Sequence, residues 1–156
     1  MADDSVLKEQ FLETWRINHR LNLFLLDAVD DEVLNSAIAK GKTVASHFCH
    51  IHNVRLMWIK VVSPALMEGL EKLEKVTDRA EIVASLEKSA AAMEQLLAEG
   101  WDAGRVKSFK PHPMAFLGYL ISHETHHRAQ AELGLRQLGK PVSDKVAYGL
   151  WEWGVR

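Results

Sequence analysis

PMAFLGYLISHETHHRAQAELGLRQLGKP, residues 113–141, is the stretch whose reading decides the fold. Pro113 suits the first position of a helix, where its missing N–H costs nothing. Gly139 followed by Pro141 is a strong stop. Between them Leu117, Leu120, Glu124, His127, Ala131 and Leu135 recur at steps of three and four, which is one face of an α-helix. His123 and His127 stand four apart on this helix, on or beside that face.

Three further segments carry the same period. Leu7, Phe11, Trp15, Asn18, Asn22, Leu25 and Val29 mark a helix from about Ser5 to Val29, with two asparagines on an otherwise apolar stripe. Gly41 and Thr43 precede a second, over about 43–62, with Val44, Phe48, Ile51, Trp58 and Val62 as its core stripe and Val54 beside it. Ser63-Pro64 ends it, since proline cannot continue the backbone ladder. A third starts at Thr77-Asp78, where Asp78 and Glu81 read as a capping pair. Ile82, Leu86, Ala90, Met93 and Leu97 form its core face, and Gly100 is the expected stop. The connection before it is long for an antiparallel hairpin and suits a crossover that makes the second and third helices parallel. No segment alternates with period two. The expectation is an all-α four-helix bundle in one domain over 1–156, with a tail from Val142 that packs on the bundle or on a partner subunit.

Composition agrees with a globular chain: 47% hydrophobic and 26% charged, with a net charge of −2. There is no basic footprint for nucleic acid and no apolar run of the roughly 20 residues that span a bilayer. With no leader-like N-terminus and a single cysteine, Cys49, a cytoplasmic location is expected.

Six of the eight histidines cluster, at 47, 50 and 52 and at 123, 126 and 127. Imidazoles at i and i+4 on a helix project from one side and can converge on one ion. A third ligand must come from another helix. His52 lies on the wrong side of the second helix. His47 and His50 both border its apolar stripe; His50 is preferred, with His47 as the fallback. A buried histidine is commonly just a hydrogen-bonded core residue, but two unmetallated rings in one apolar place both need partners. Three neutral nitrogens leave a coordination position open, the pattern of catalytic rather than structural sites. His123-Glu124-Thr125-His126-His127 also satisfies H-E-x-x-H, the zincin protease motif. The longer metzincin form of the motif fails downstream, at Gln130 and Leu133 with no later histidine, and no edge strand is expected to align a peptide.

The stretches SHFCHIHNVRLMW (46–58) and HETHHRAQ (123–130) resemble the DinB/YfiT-like family of metal-binding four-helix bundles. His50-Ile51 with Trp58 fits its looser first motif. His123, His127, Arg128 and Gln130 fit its more specific second, with Ala129 where glycine is common. The Trp15/Asn18 pattern extends the likeness toward the N-terminus. The resemblance implies an up-down-down-up bundle, a His50/His123/His127 site for zinc or nickel and, often, a homodimer. It also implies chemistry like that of its relatives, which include S-transferases using low-molecular-weight thiols and a thiol-dependent maleylpyruvate isomerase. The expected function is therefore a metal-dependent transfer of a small thiol to a small electrophile. The alternatives are a hydrolase using metal-bound hydroxide and a non-catalytic metal-binding or stress-response module.

Other polar residues have two readings each. Glu124 either serves the site, as a catalytic group or by orienting a ligand, or pairs with a buried cation. Asn18 and Asn22 line the cavity or satisfy a core hydrogen bond. Arg128 grips a substrate carboxylate or a protein partner. Cys49 reads as a packed small residue rather than a nucleophile. His126 is expected to face away. Trp58, Trp101, Trp151 and Trp153 read as core or partner contacts.

Overall fold

Each long helix begins where a side chain satisfies free backbone N–H groups. The Asp3 carboxylate accepts from Ser5 N. Thr43 and Ser46 cap each other reciprocally, the Asp78 carboxylate accepts from Ala80 N, and the His112 ring accepts from Ala115 N just ahead of Pro113. The structure, a computed structural model, describes residues 3–156. Its helices are α1 (Asp4–Asp27), α2 (Asp31–Leu34), α3 (Val44–Val62), α4 (Arg79–Ala103), α5 (Pro113–Gln137) and α6 (Asp144–Gly149). Among the described residues there is no strand, only isolated bridges at Ala37–Thr43 and Val106–Phe109. Among the described residues no helix is long and apolar enough to cross a membrane.

α1, α3, α4 and α5 form the expected bundle. His47 lies beside His127 while Trp58 lies beside Phe116, so α3 and α5 run antiparallel. Trp15 Nε1 donates to Ala90 O and Lys8 pairs with Asp102, so α1 and α4 are antiparallel. The sequence 63–78 crosses over so that α3 and α4 run parallel. Asn53 braces this crossover by exchanging two hydrogen bonds with the Leu73 backbone.

The core has two apolar halves. One gathers Leu25, Leu26, Phe48, Ile51, Ile82, Leu86 and Leu135; the other gathers Phe11, Trp15, Ile59, Met93, Leu97, Phe116 and Leu120. Gly134 lets the loop before α3 sit close on α5, since a Cβ there would lie 2.6 Å from Ile38 Cδ1.

Two expectations are corrected, and the tail takes one of its two expected places, on the bundle. α4 runs through Gly100 to Ala103 and ends at Gly104, whose φ of 66° is left-handed. Gly100 is instead a close-contact residue: an added Cβ would meet Val106 Cγ2 at 3.1 Å. In α3, Trp58 and Val62 are only half-buried, and the core positions are Arg55, Leu56 and Ile59. The tail docks through Gly149 and Arg156, whose guanidinium sits 3.8 Å over the Phe24 ring. Its Tyr148 and Trp151 stay 70% and 80% exposed.

Candidate metal centre

The middle of α5 carries two i,i+4 pairs, offset by one residue and therefore by about 100° around the helix. Glu124 and Arg128 turn inward, while His123 and His127 turn toward α3.

The inward pair belongs to a buried polar layer between the two apolar halves. Glu124 is 1% exposed, as is Arg55 of α3. Glu124 Oε1 accepts from Arg55 Nε at 2.7 Å, and Oε2 accepts from Arg55 Nη2 at 2.8 Å. The Asn18 and Asn22 amides also donate to Oε2, at 2.8 and 2.7 Å. Their carbonyl oxygens in turn accept from Arg128 Nη1 at 3.0 and 2.6 Å. Arg55 Nη1 donates to Leu86 O and Ser89 Oγ, and its guanidinium lies 4.8 Å over the Trp15 ring. Burial pushes the Glu124 pKa up, but the Arg55 charge and hydrogen bonds outweigh it and hold the carboxyl below its usual range. Glu124, Asn18, Asn22 and Arg128 thus satisfy one another, which among their paired readings favours the core hydrogen bond and the buried ion pair. H-E-x-x-H does not place its glutamate at the histidines: both oxygens are engaged with Arg55.

Arg55 is the residue that sequence reasoning missed. The signal was present, because Arg55 falls four residues after Ile51 and seven after Phe48, on the same face.

The outward pair meets His50. Ring centroids lie 4.4 Å apart for His50–His127, 5.3 Å for His50–His123 and 4.7 Å for His123–His127. One nitrogen from each ring lies within 4.8 Å of the others, so the three can hold a metal ion. Such spacing lets side-chain rotation bring all three to the roughly 2.0–2.1 Å bonds of zinc with imidazole. His50 is exposed and the other two are half-buried, so the set lies where α3 and α5 meet the surface rather than in the bundle interior.

His47 is not one of the three. Its Nδ1 lies 3.1 Å from His127 Nδ1, so one ring donates and the other accepts. In the tautomer in which His127 Nδ1–H donates to His47, Nε2 of His127 carries the lone pair that an ion needs. His52 is buried on the opposite side of α3, with Nε2 at 2.8 Å from Glu71 O. His126 is exposed, and its ring meets that of His127 edge-on at 5.2 Å.

Burial pushes the pKa of each site imidazole down. The Lys42 charge adds to this at His47 and His50, and the neighbouring rings add to it at His127, which falls to about 3. The rings are therefore neutral at pH 7, the form that binds metal. Burial raises the Cys49 thiol to about 11, so it is a packed residue rather than a nucleophile. Beside the set Tyr119 stacks on His123, and Trp58, Phe109 and Phe116 surround Tyr119.

The sequence model of the DinB family matches residues 1–152. The chain belongs to the DinB family. A crystal structure of a DinB-like protein from Bacillus cereus is similar at 25% identity and a TM-score of 0.61, covering 86% of this chain and 95% of that one. No curated protein matches the sequence. Within the DinB assignment the HETHHRAQ block (123–130) divides its labour: histidines 123 and 127 serve the histidine set, while Glu124 and Arg128 serve the core.

Proposed function

We propose that this DinB-family chain is a divalent-metal enzyme that transfers a low-molecular-weight thiol to a small electrophile, with His50, His123 and His127 as the metal ligands. The observation that carries the reading is a three-imidazole set at the surface, with no carboxylate or thiolate in the group to close a fourth position. Zinc and nickel both accept imidazole nitrogen. When bound there, the ion would supply a Lewis-acidic position at which a thiol is held as thiolate at neutral pH.

The protein's own residues do the rest. His50 comes from α3 and the other two from α5, so the antiparallel packing of these helices sets the triangle. His47 holds the His127 ring through its Nδ1. Arg55 and Glu124 tie α3 to α5 beneath the site, and Asn18 ties α1 to both, so we assign Glu124 and Asn18 positioning roles. The aromatic side chains of Tyr119, stacked on His123, and Trp58 beside it offer apolar surface next to the histidines and favour a partly apolar electrophile.

Protein purified without a nickel column and loaded with zinc should turn over a model electrophile only when a small thiol is present. Turnover in water without thiol would replace the transferase with a hydrolase. No turnover under either condition, with metal bound, would leave a metal-binding module.

A further inference from the structure

A cavity of about 500 Å³ opens beside His50, a size that suits a small molecule. Its walls come from the turn before α3, from the outer face of α3 and from the crossover, and no aspartate or glutamate lines it. Two lysines do: Lys42, just ahead of α3, and Lys75, in the crossover. The ion-paired lysines among the described residues are Lys8, Lys72 and Lys140, so both cavity lysines are free of a protein carboxylate. Most of the other polar lining is already engaged. Asn53 is taken up with Leu73, and Thr43 and Ser46 with each other. Lys75 has a φ of 55°, a left-handed backbone conformation.

We propose that this cavity binds the carboxylate end of the small molecule that reacts at the histidine set, with Lys42 and Lys75 as the anion-binding pair and His50 at the junction of the two subsites. The reactive end rests on the metal reading above; the anionic end rests on the cavity alone. A thiol carrying a carboxylate a few bonds from its sulfur spans both. A neutral thiol of the same size fills only the metal end.

The test uses succinate (carboxylate only), 1-thioglycerol (thiol only), mercaptosuccinate (both) and inorganic phosphate. Each is titrated by calorimetry and by amide NMR into metal-free and zinc-loaded protein. In metal-free protein, succinate and mercaptosuccinate should bind with similar affinity and shift the amides of Ser46, Asn53 and Thr77, while 1-thioglycerol should not. Binding should weaken as salt rises. The double variant Lys42→Ala/Lys75→Ala alters only exposed side chains, so it should fold normally and lose this binding. Zinc should tighten mercaptosuccinate over succinate by about tenfold or more, which is ~1.4 kcal/mol. Succinate leaving the cavity amides unmoved, or binding the double variant as well as the parent, would overturn the anion pocket. Phosphate binding without succinate binding would overturn the carboxylate assignment. Succinate binding in the cavity with no effect of zinc on the thiols would leave the pocket standing and remove the thiol-at-metal reading.

Discussion

Glu124/Arg128 and His123/His127 occupy the same two turns of α5, yet they do opposite things. The inward pair has its charges and hydrogen-bonding groups matched by Arg55, Asn18 and Asn22 within 3.0 Å. The outward pair converges with His50, one nitrogen of each ring lying within 4.8 Å of the others. Matched polar groups in a dry layer hold helices in register; neutral nitrogens that face one another need a ligand. The difference separates what keeps the bundle together from what the bundle holds.

The sharpest way to break this comparison is to remove one charge from the inner layer. Glu124→Gln leaves the Arg55 guanidinium buried without its counter-ion and should cost about 3–5 kcal/mol in urea denaturation. His50→Ala, at the exposed edge of the set, should change the stability of metal-free protein by less than about 0.5 kcal/mol. Equal costs would erase the distinction. Next in size, His123→Ala should lower zinc affinity by more than about 100-fold, since it removes a ligand rather than a supporting contact. Retained affinity would mean a different ligand set. His47→Ala should cost roughly 10–100-fold, the scale of a lost outer hydrogen bond to a ligating ring. A loss as large as that of His123→Ala would make His47 a ligand.

The smallest effect is a slope in pH. In the metal-free folded chain the His19 and His127 pKa values lie at about 3, chiefly through burial, against an ordinary 6.5. Above 6.5 these rings are neutral whether folded or unfolded and add nothing. Below it the unfolded chain takes up protons that the folded chain refuses, so stability falls as pH drops from about 6.5 toward 3. His19→Gln should flatten that decline in circular-dichroism melts. An unchanged slope would show that His19 titrates normally.

Most of the frame was legible because it is written in local signals. Thr43, Asp78, Pro113 and Gly139 mark helix ends through their own backbone chemistry, and His123 and His127 declare themselves by spacing, whereas His50 was preferred over His47 only from its place beside the apolar stripe. Gly100 misleads because a glycine needed for close packing looks the same in sequence as one needed for a left-handed turn; Gly104, four residues on, is the turn. Arg55 was hidden for a different reason. A charged residue on an apolar stripe reads as solvated until its partner is known, and that partner, Glu124, lies on another helix. The cavity lysines were equally out of reach, since Lys42 and Lys75 meet only after the crossover closes over α3.

Zinc titration of metal-free protein prepared without a nickel column bears most directly on the central claim. One ion per chain, bound in parent and Glu124→Gln protein that remains folded but lost in His123→Ala and His127→Ala, is the result expected. Uptake below about a tenth of an ion per chain, or uptake that survives both histidine substitutions, would contradict it.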